Sequence, residues 1–225
     1  MNVFSRAYQS SLGKKYLMAI SGLILFLFVI VHMLGNLQVY LGAEAMNRYA
    51  HFLKSNPELL WPVRAVLFVS VIVHIVTALQ LAAENRAARH IPYQTRKLVG
   101  ASFASRTVVI SGLVLFAFIV YHLLHFTLGV TNPDFMQLRD ASGHHDVYGM
   151  VVQGFKDPLV SGFYIISMGL LCLHLSHGVG SLFQSLGLRN KANTNAILKF
   201  ARVAAVIVFI GNCSIPITIV AGVLR

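Results

Sequence analysis

The chain has 225 residues, of which 56% are hydrophobic and only 11% charged, with a net charge of +11 and a mean hydropathy of +0.71. Soluble chains carry about 25% charged residues, so this composition excludes an ordinary soluble domain. The absence of C-x-x-C-H, of G-x-G-x-x-G and of a phosphate loop excludes covalent heme attachment and the common nucleotide sites.

Taken in chain order, a basic segment with Arg6, Lys14 and Lys15 precedes a first apolar stretch, 16–40. That stretch is longer than the 7–15 apolar residues of a signal peptide, so it reads as a spanning helix. Residues 41–60 follow, and Glu44, Asn47, Arg48, Tyr49, His51 and Phe52 are spaced as a short amphipathic helix at an interface. The second stretch, 61–84, leads into a short basic loop, 85–106, and then into the third, 107–130. A long polar and aromatic loop, 131–157, precedes the fourth stretch, 158–186, and the fifth is 197–224. Pro57, Pro62, Pro133 and Pro158 mark loop and helix boundaries, while Pro216 is expected to kink the fifth helix. Each stretch meets the roughly 20 residues that cross a bilayer core, and none alternates as a strand would. The expected fold is therefore an all-α integral membrane protein: one domain over 1–225, its five transmembrane helices forming a bundle. Cys172 and Cys213 fall inside these helices, where a free thiol packs as a small apolar group.

Charge sets the expected orientation. With the N-terminus, the 85–106 loop and 187–202 on one side, that side holds Arg6, Lys14, Lys15, Arg86, Arg89, Arg96, Lys97, Arg106, Arg189, Lys191, Lys199 and Arg202, against Glu84 alone. The other side holds six basic and six acidic residues. The bias predicts a cytoplasmic N-terminus and an external C-terminus. The basic face is explained either by topology and anionic lipid alone or by docking of a cytoplasmic partner as well, and no nucleic acid partner is expected.

The chain also contains a repeat. Ser21–His32 reads SGLILFLFVIVH and Ser111–His122 reads SGLVLFAFIVYH, with seven of twelve positions identical. Helices one and three run the same way, so this is a parallel repeat about an axis along the membrane normal. His74 and His174 are the candidates for matching positions in helices two and four.

Four histidines, His32, His74, His122 and His174, lie inside four different apolar stretches. An ionisable side chain at that depth costs a few kcal/mol, which makes it a functional candidate. His32 and His122 come 16 and 15 residues after their helices start outward, about 24 Å at 1.5 Å per residue. His74 and His174 come 13 and 16 residues after their helices start inward, roughly 20–24 Å down. In a core about 30 Å thick this gives an outer pair, His32 with His122, and an inner pair, His74 with His174. Two facing imidazoles are what bis-histidine ligation of a heme requires. His125 and His177 each lie one turn beyond a candidate; the repeat selects His122, and depth favours His174.

Small residues fit a macrocycle between helices. Gly35, Ala78 and Gly178 follow His32, His74 and His174 by three or four residues, on the same helix faces. Gly22 and Gly112 precede the outer histidines by ten residues, about 15 Å, which brings them to the inner level. Toward the cytoplasmic side, Ser21 and Arg106 are candidates for heme propionate contacts. His177 is a candidate for the heme pocket, and Asn36, Glu44, Arg48, His51 and His125 for a quinone near the outer end.

The motifs resemble the membrane cytochrome b subunit of succinate:quinone oxidoreductases, in its single-subunit, five-helix, diheme class. The likeness runs through H-M-L-G-N at His32, L-G-A-E-A-M-N-R-Y-A-H-F over 41–52, V-I-V-H at His74, V-Y-H at His122 and L-H-L-S-H-G around His174. It implies that the four histidines are axial ligands of two b hemes. It further implies a flavoprotein and an iron–sulfur subunit on the cytoplasmic face of a bacterial inner membrane, with menaquinone or another quinone as the membrane substrate. No succinate site is expected on this chain. The alternatives are the cytochrome b anchor of a hydrogenase or nitrate reductase, or a heme-free transporter whose histidines relay protons.

Overall fold

A computed structural model describes residues 10–88 and 103–225. Arg6, Arg89, Arg96 and Lys97, four cations of the predicted basic face, lie outside the described residues. Among those described, regular structure is helical, apart from one isolated bridge between Arg139 and His145.

Helix α1 spans Ser11–Asn36. It begins five residues before the apolar run because Ser10 caps it, its hydroxyl accepting a hydrogen bond from the Gly13 N–H at 2.9 Å. A 3-10 turn, Leu37–Leu41, closes it, and Gly42 turns the chain with φ of +95°, a conformation that favours glycine. Helix α2, Ala43–Lys54, is the short amphipathic helix of the sequence reading, and it buries Met46 and Asn47.

Helix α3 spans Pro57–Ala87. It starts at Pro57, whose missing N–H costs nothing in the first turn. Pro62 is therefore not a boundary but lies inside the helix, near enough to its start that only one backbone bond is forfeited. Helix α4, Phe103–His122, passes directly into a π turn, Leu123–Thr127. Helix α6 is Pro158–Ser185, capped by the Asp157 carboxylate on the Leu159 N–H, and helix α7 is Thr194–Val220 with Pro216 buried inside it.

Five helical segments, Ser11–Leu41, Pro57–Ala87, Phe103–Thr127, Pro158–Ser185 and Thr194–Val220, are long and apolar enough to cross a membrane. The long connection before α6 is more ordered than a polar loop. It holds a 3-10 turn at Pro133–Gln137 and helix α5, Val147–Phe155, which buries Met150, Val151, Val152 and Phe155. Nine residues are too few to show a helical period, so the sequence alone places this segment within a loop.

Backbone contacts run from α1 to α3, slightly from α3 to α4, then from α4 to α6 and from α6 back to α1, with α7 packed along α6. Lipid tails are as apolar as leucine, so close packing rather than water exclusion holds such helices together. That accounts for Ala201 and Ala205 being fully buried on α7, and for Gly211 lying directly under Met33. At one end Lys14, buried, is paired with Glu84, which also accepts from Ser11, so α1 is tied to α3.

At the other end Asn47 ties α2 to α5. Its Nδ2 donates to Asp146 Oδ1 and its Oδ1 accepts from the Tyr148 N–H, both at 2.9 Å. Because Asn47 is buried, Asn47→Ala would strand two polar groups and is expected to cost about 2 kcal/mol. A lower melting temperature in detergent, with faster proteolysis across 139–148, would show it.

Candidate functional site

The helix order sets α1 opposite α4, and α3 opposite α6. The histidines meet across those two diagonals. The His32 and His122 ring centroids are 5.7 Å apart with planes at 89°, and those of His74 and His174 are 6.2 Å apart at 64°. An imidazole nitrogen binds a metal at about 2.0 Å and lies roughly 1.1 Å from its ring centre, so a metal clamped between facing imidazoles sets the centroids about 6.2 Å apart. Both pairs have that spacing to within half an ångström. Among the described residues no group of three or more His, Cys, Asp or Glu side chains gathers to hold a metal ion. Two nitrogens suit only a metal whose other ligands come from elsewhere.

The His74–His174 level is built twice from the repeat. His74 Nδ1 lies 3.2 Å from the Met18 carbonyl and 3.4 Å from Ser21 Oγ. Ninety residues on, Ser111 Oγ lies 3.4 Å from His174 Nδ1, and the Val108 carbonyl hydrogen-bonds the same ring. Each serine is held by its own helix, Ser21 on the Leu17 carbonyl at 2.7 Å and Ser111 on that of Val108 at 3.1 Å. The adjacent glycine is the other half of each cradle. A Cβ on Gly22 would lie 3.1 Å from His74 Cε1, and one on Gly112 would lie 3.4 Å from His174 Cε1. With Nδ1 engaged by backbone and hydroxyl, each ring keeps Nε2 for a ligand, the usual division of labour in a metal-binding histidine.

The His32–His122 level is less symmetric. The repeat supplies Phe28 stacked on His32 at 5.2 Å and Phe118 on His122 at 6.0 Å. His122 Nδ1 also faces Tyr164 Oη at 3.4 Å, and that hydroxyl is 3.0 Å from His125 Nδ1. His125 is 1% exposed and packed on Phe126 at 4.0 Å. It belongs to an aromatic core with Phe126, Phe135 and Tyr164. The four paired histidines are by contrast half-buried or open.

Other candidates fall elsewhere. Gly35 makes room for Tyr49 of α2, whose ring would lie 2.8 Å from a Cβ there. Gly178 faces open space, and His177 Nε2 contacts Ser181 Oγ one turn on, at 3.2 Å. Arg106 is exposed and lies over Phe103 of its own helix. Asn36 donates to the His32 carbonyl at 2.7 Å.

Glu44, Arg48 and His51 do converge. With Asn47, Asp140 and His144 they line an open cleft of about 420 Å³ between α2 and the 140–144 turn. Asp140 shapes the turn by accepting from the Ser142 and His144 N–H groups, both at 2.9 Å. Near it, burial and then the Arg64 and Arg139 charges hold the Lys54 ammonium below its ordinary range. The His51 and His144 rings stack at 3.8 Å.

Sequence reasoning missed Tyr164 and His144. Tyr164 carried one signal, a lone phenol in an apolar helix, whereas His144 sat unremarked in a polar loop. In comparisons with known proteins, no family model, no curated protein and no solved structure matches this chain.

Proposed function

We propose that this chain is the diheme cytochrome b anchor of a succinate:quinone oxidoreductase, passing electrons between cytoplasmic flavin and iron–sulfur subunits and a membrane quinone, menaquinone first. The observation that carries the reading is the pair of facing imidazole couples, each on a diagonal of four apolar helices and each at the spacing of a bis-histidine metal. A bare metal ion needs more ligands than either couple offers, whereas a heme brings four of its own. In this reading His74 and His174 hold the inner heme and His32 and His122 the outer one.

Bound heme supplies reversible one-electron transfer, and the protein's contribution is to hold it. Met18, Ser21, Val108 and Ser111 orient the inner imidazoles; Gly22 and Gly112 keep bulk away from them. Phe28 and Phe118 stack against the outer ones. The apolar helices exclude water, which favours transfer along the membrane normal over side reactions. The specific assignment to succinate chemistry rests on the motif resemblance, and the lone cytoplasmic orientation on the Lys/Arg bias. The cleft of Glu44, Arg48, His51 and His144 has groups able to hydrogen-bond a quinone carbonyl, at the end of the molecule where the outer heme would hand over its electron.

The test is a reduced-minus-oxidised spectrum of the purified protein with heme quantified per polypeptide. Two b hemes, together with co-purification of a flavoprotein that gives succinate-dependent dye reduction, are the expected result. Colourless protein overturns the reading in favour of a proton-relaying transporter. Two hemes with hydrogenase or nitrate reductase partners keep the cytochrome and discard succinate.

A further inference from the structure

Tyr164 is 6% exposed and sits in an apolar helix, where a phenylalanine would fill the same space without a hydroxyl to satisfy. Its oxygen lies between two imidazole nitrogens, 3.4 Å from His122 Nδ1 and 3.0 Å from His125 Nδ1. The phenol has one hydrogen, so it can donate to only one of them and must accept from the other. If His122 Nε2 binds a metal, the neutral ring carries its proton on Nδ1 and donates to Tyr164 Oη. Tyr164 then donates to His125 Nδ1, leaving the His125 proton on Nε2. The direction of the whole chain is thus set by ligation at one end.

The backbone explains how two histidines three apart reach one hydroxyl. The π turn at Leu123–Thr127 starts immediately after His122 and contains His125, and such turns re-aim side chains within a helix. The repeat provides the contrast. The partner imidazole, His32, has the stacking phenylalanine but no hydrogen bond to its ring nitrogens among the described residues. The other level uses serines and carbonyls on both of its rings. Tyr164 is therefore an addition on one histidine of four.

We propose that Tyr164, backed by His125, is a positioning residue of the outer heme: it fixes the ring plane and tautomer of His122 so that Nε2 is the ligand, and by accepting from Nδ1 it makes this imidazole the stronger donor to iron. The proposal rests on the diheme reading. Outer-shell hydrogen bonds of this kind typically change metal affinity by about 10–100-fold.

Tyr164→Phe, made in the intact membrane complex, keeps the packed ring and removes only the hydroxyl. Hemin retained per polypeptide after gel filtration is expected to fall at one level only, with about tenfold weaker binding there. In a redox titration the midpoint of that heme should rise, its low-spin ferric EPR signal should move, and the other heme should match wild type. Ser111→Ala should disturb the opposite heme. His125→Leu, which leaves the Tyr164 oxygen able to accept but removes the group that orients it, should shift the same heme in the same direction by less, while His125→Asn, whose carbonyl can accept where Nδ1 did, should restore wild-type values. These two variants decide the matter if Tyr164→Phe fails to assemble. Wild-type binding of two hemes with no change in either potential or EPR signal in Tyr164→Phe and His125→Leu would overturn this proposal alone. A wild-type protein without heme would overturn the diheme reading beneath it.

Discussion

On the proposed diheme reading, replacing His32 or His122 by alanine is expected to remove the outer heme and quinone reduction while leaving succinate–dye activity in the proposed partner subunits intact. An imidazole pair at 5.7 Å has no third side chain to take over, because no larger group of ligating residues is present among those described. Losing a ligand should therefore weaken binding by more than the roughly 100-fold that an outer-shell change can cause. The inner heme should keep its spectrum and potential, since His74 and His174 are held by residues of α1 and α4 well removed from the outer pair in sequence. Pyridine hemochrome assay, with dye and quinone assays on one preparation, measures all three quantities. A variant that retained both hemes would break the pairing.

On the same reading, Gly22→Val and Gly112→Val should do the reverse, costing the inner heme while the outer persists. A methyl group at Gly22 already comes within 3.1 Å of the His74 ring, and at Gly112 within 3.4 Å of the His174 ring. Valine adds branches that the stiff helix backbone cannot turn away, and overpacking of this kind costs about 1–3 kcal/mol. The order expected is Gly22→Val most severe, then Gly112→Val, with Gly22→Ala partial. Gly178→Ala provides the control, because nothing lies within 4 Å of the added carbon. Heme content and the inner midpoint potential are the measurements. If Gly178→Ala proved as harmful as Gly22→Val, the cradle argument would be wrong.

Much of this geometry was legible before folding was considered. Depth along a helix is linear in residue number, at about 1.5 Å per residue. Counting therefore set His32 level with His122 and His74 level with His174, and these are the rings that meet. The repeat carried Ser21 and Gly22 onto Ser111 and Gly112, and both pairs lie against an imidazole of the other level. Helix α1 starts five residues before its apolar run, since a capped polar turn extends a helix past it. Pro62 lies inside α3 and not at its boundary because proline is tolerated close to a helix start.

Azimuth was not legible in the same way. Which side of a helix faces a neighbour depends on packing of segments far apart in sequence, and lateral contacts have no period to count. Hence Gly35, on the face expected for a cofactor, is covered by Tyr49 from a helix that sequence assigned only to an interface. His125 and His122 are near-equivalent by spacing, and only the π turn and the aromatic shell from α5 and α6 separate a buried core histidine from a half-buried one.

The amino-acid order alone determined that five apolar helices form, that four of them carry an imidazole, and at which height each lies, because length, hydropathy and rise per residue are local properties. Tertiary structure decided which rings face one another across the diagonals, which hydroxyls and carbonyls hold them, and that a tyrosine joins His122 to His125. Those are relations between segments up to a hundred residues apart, and they exist only once the helices have settled against each other.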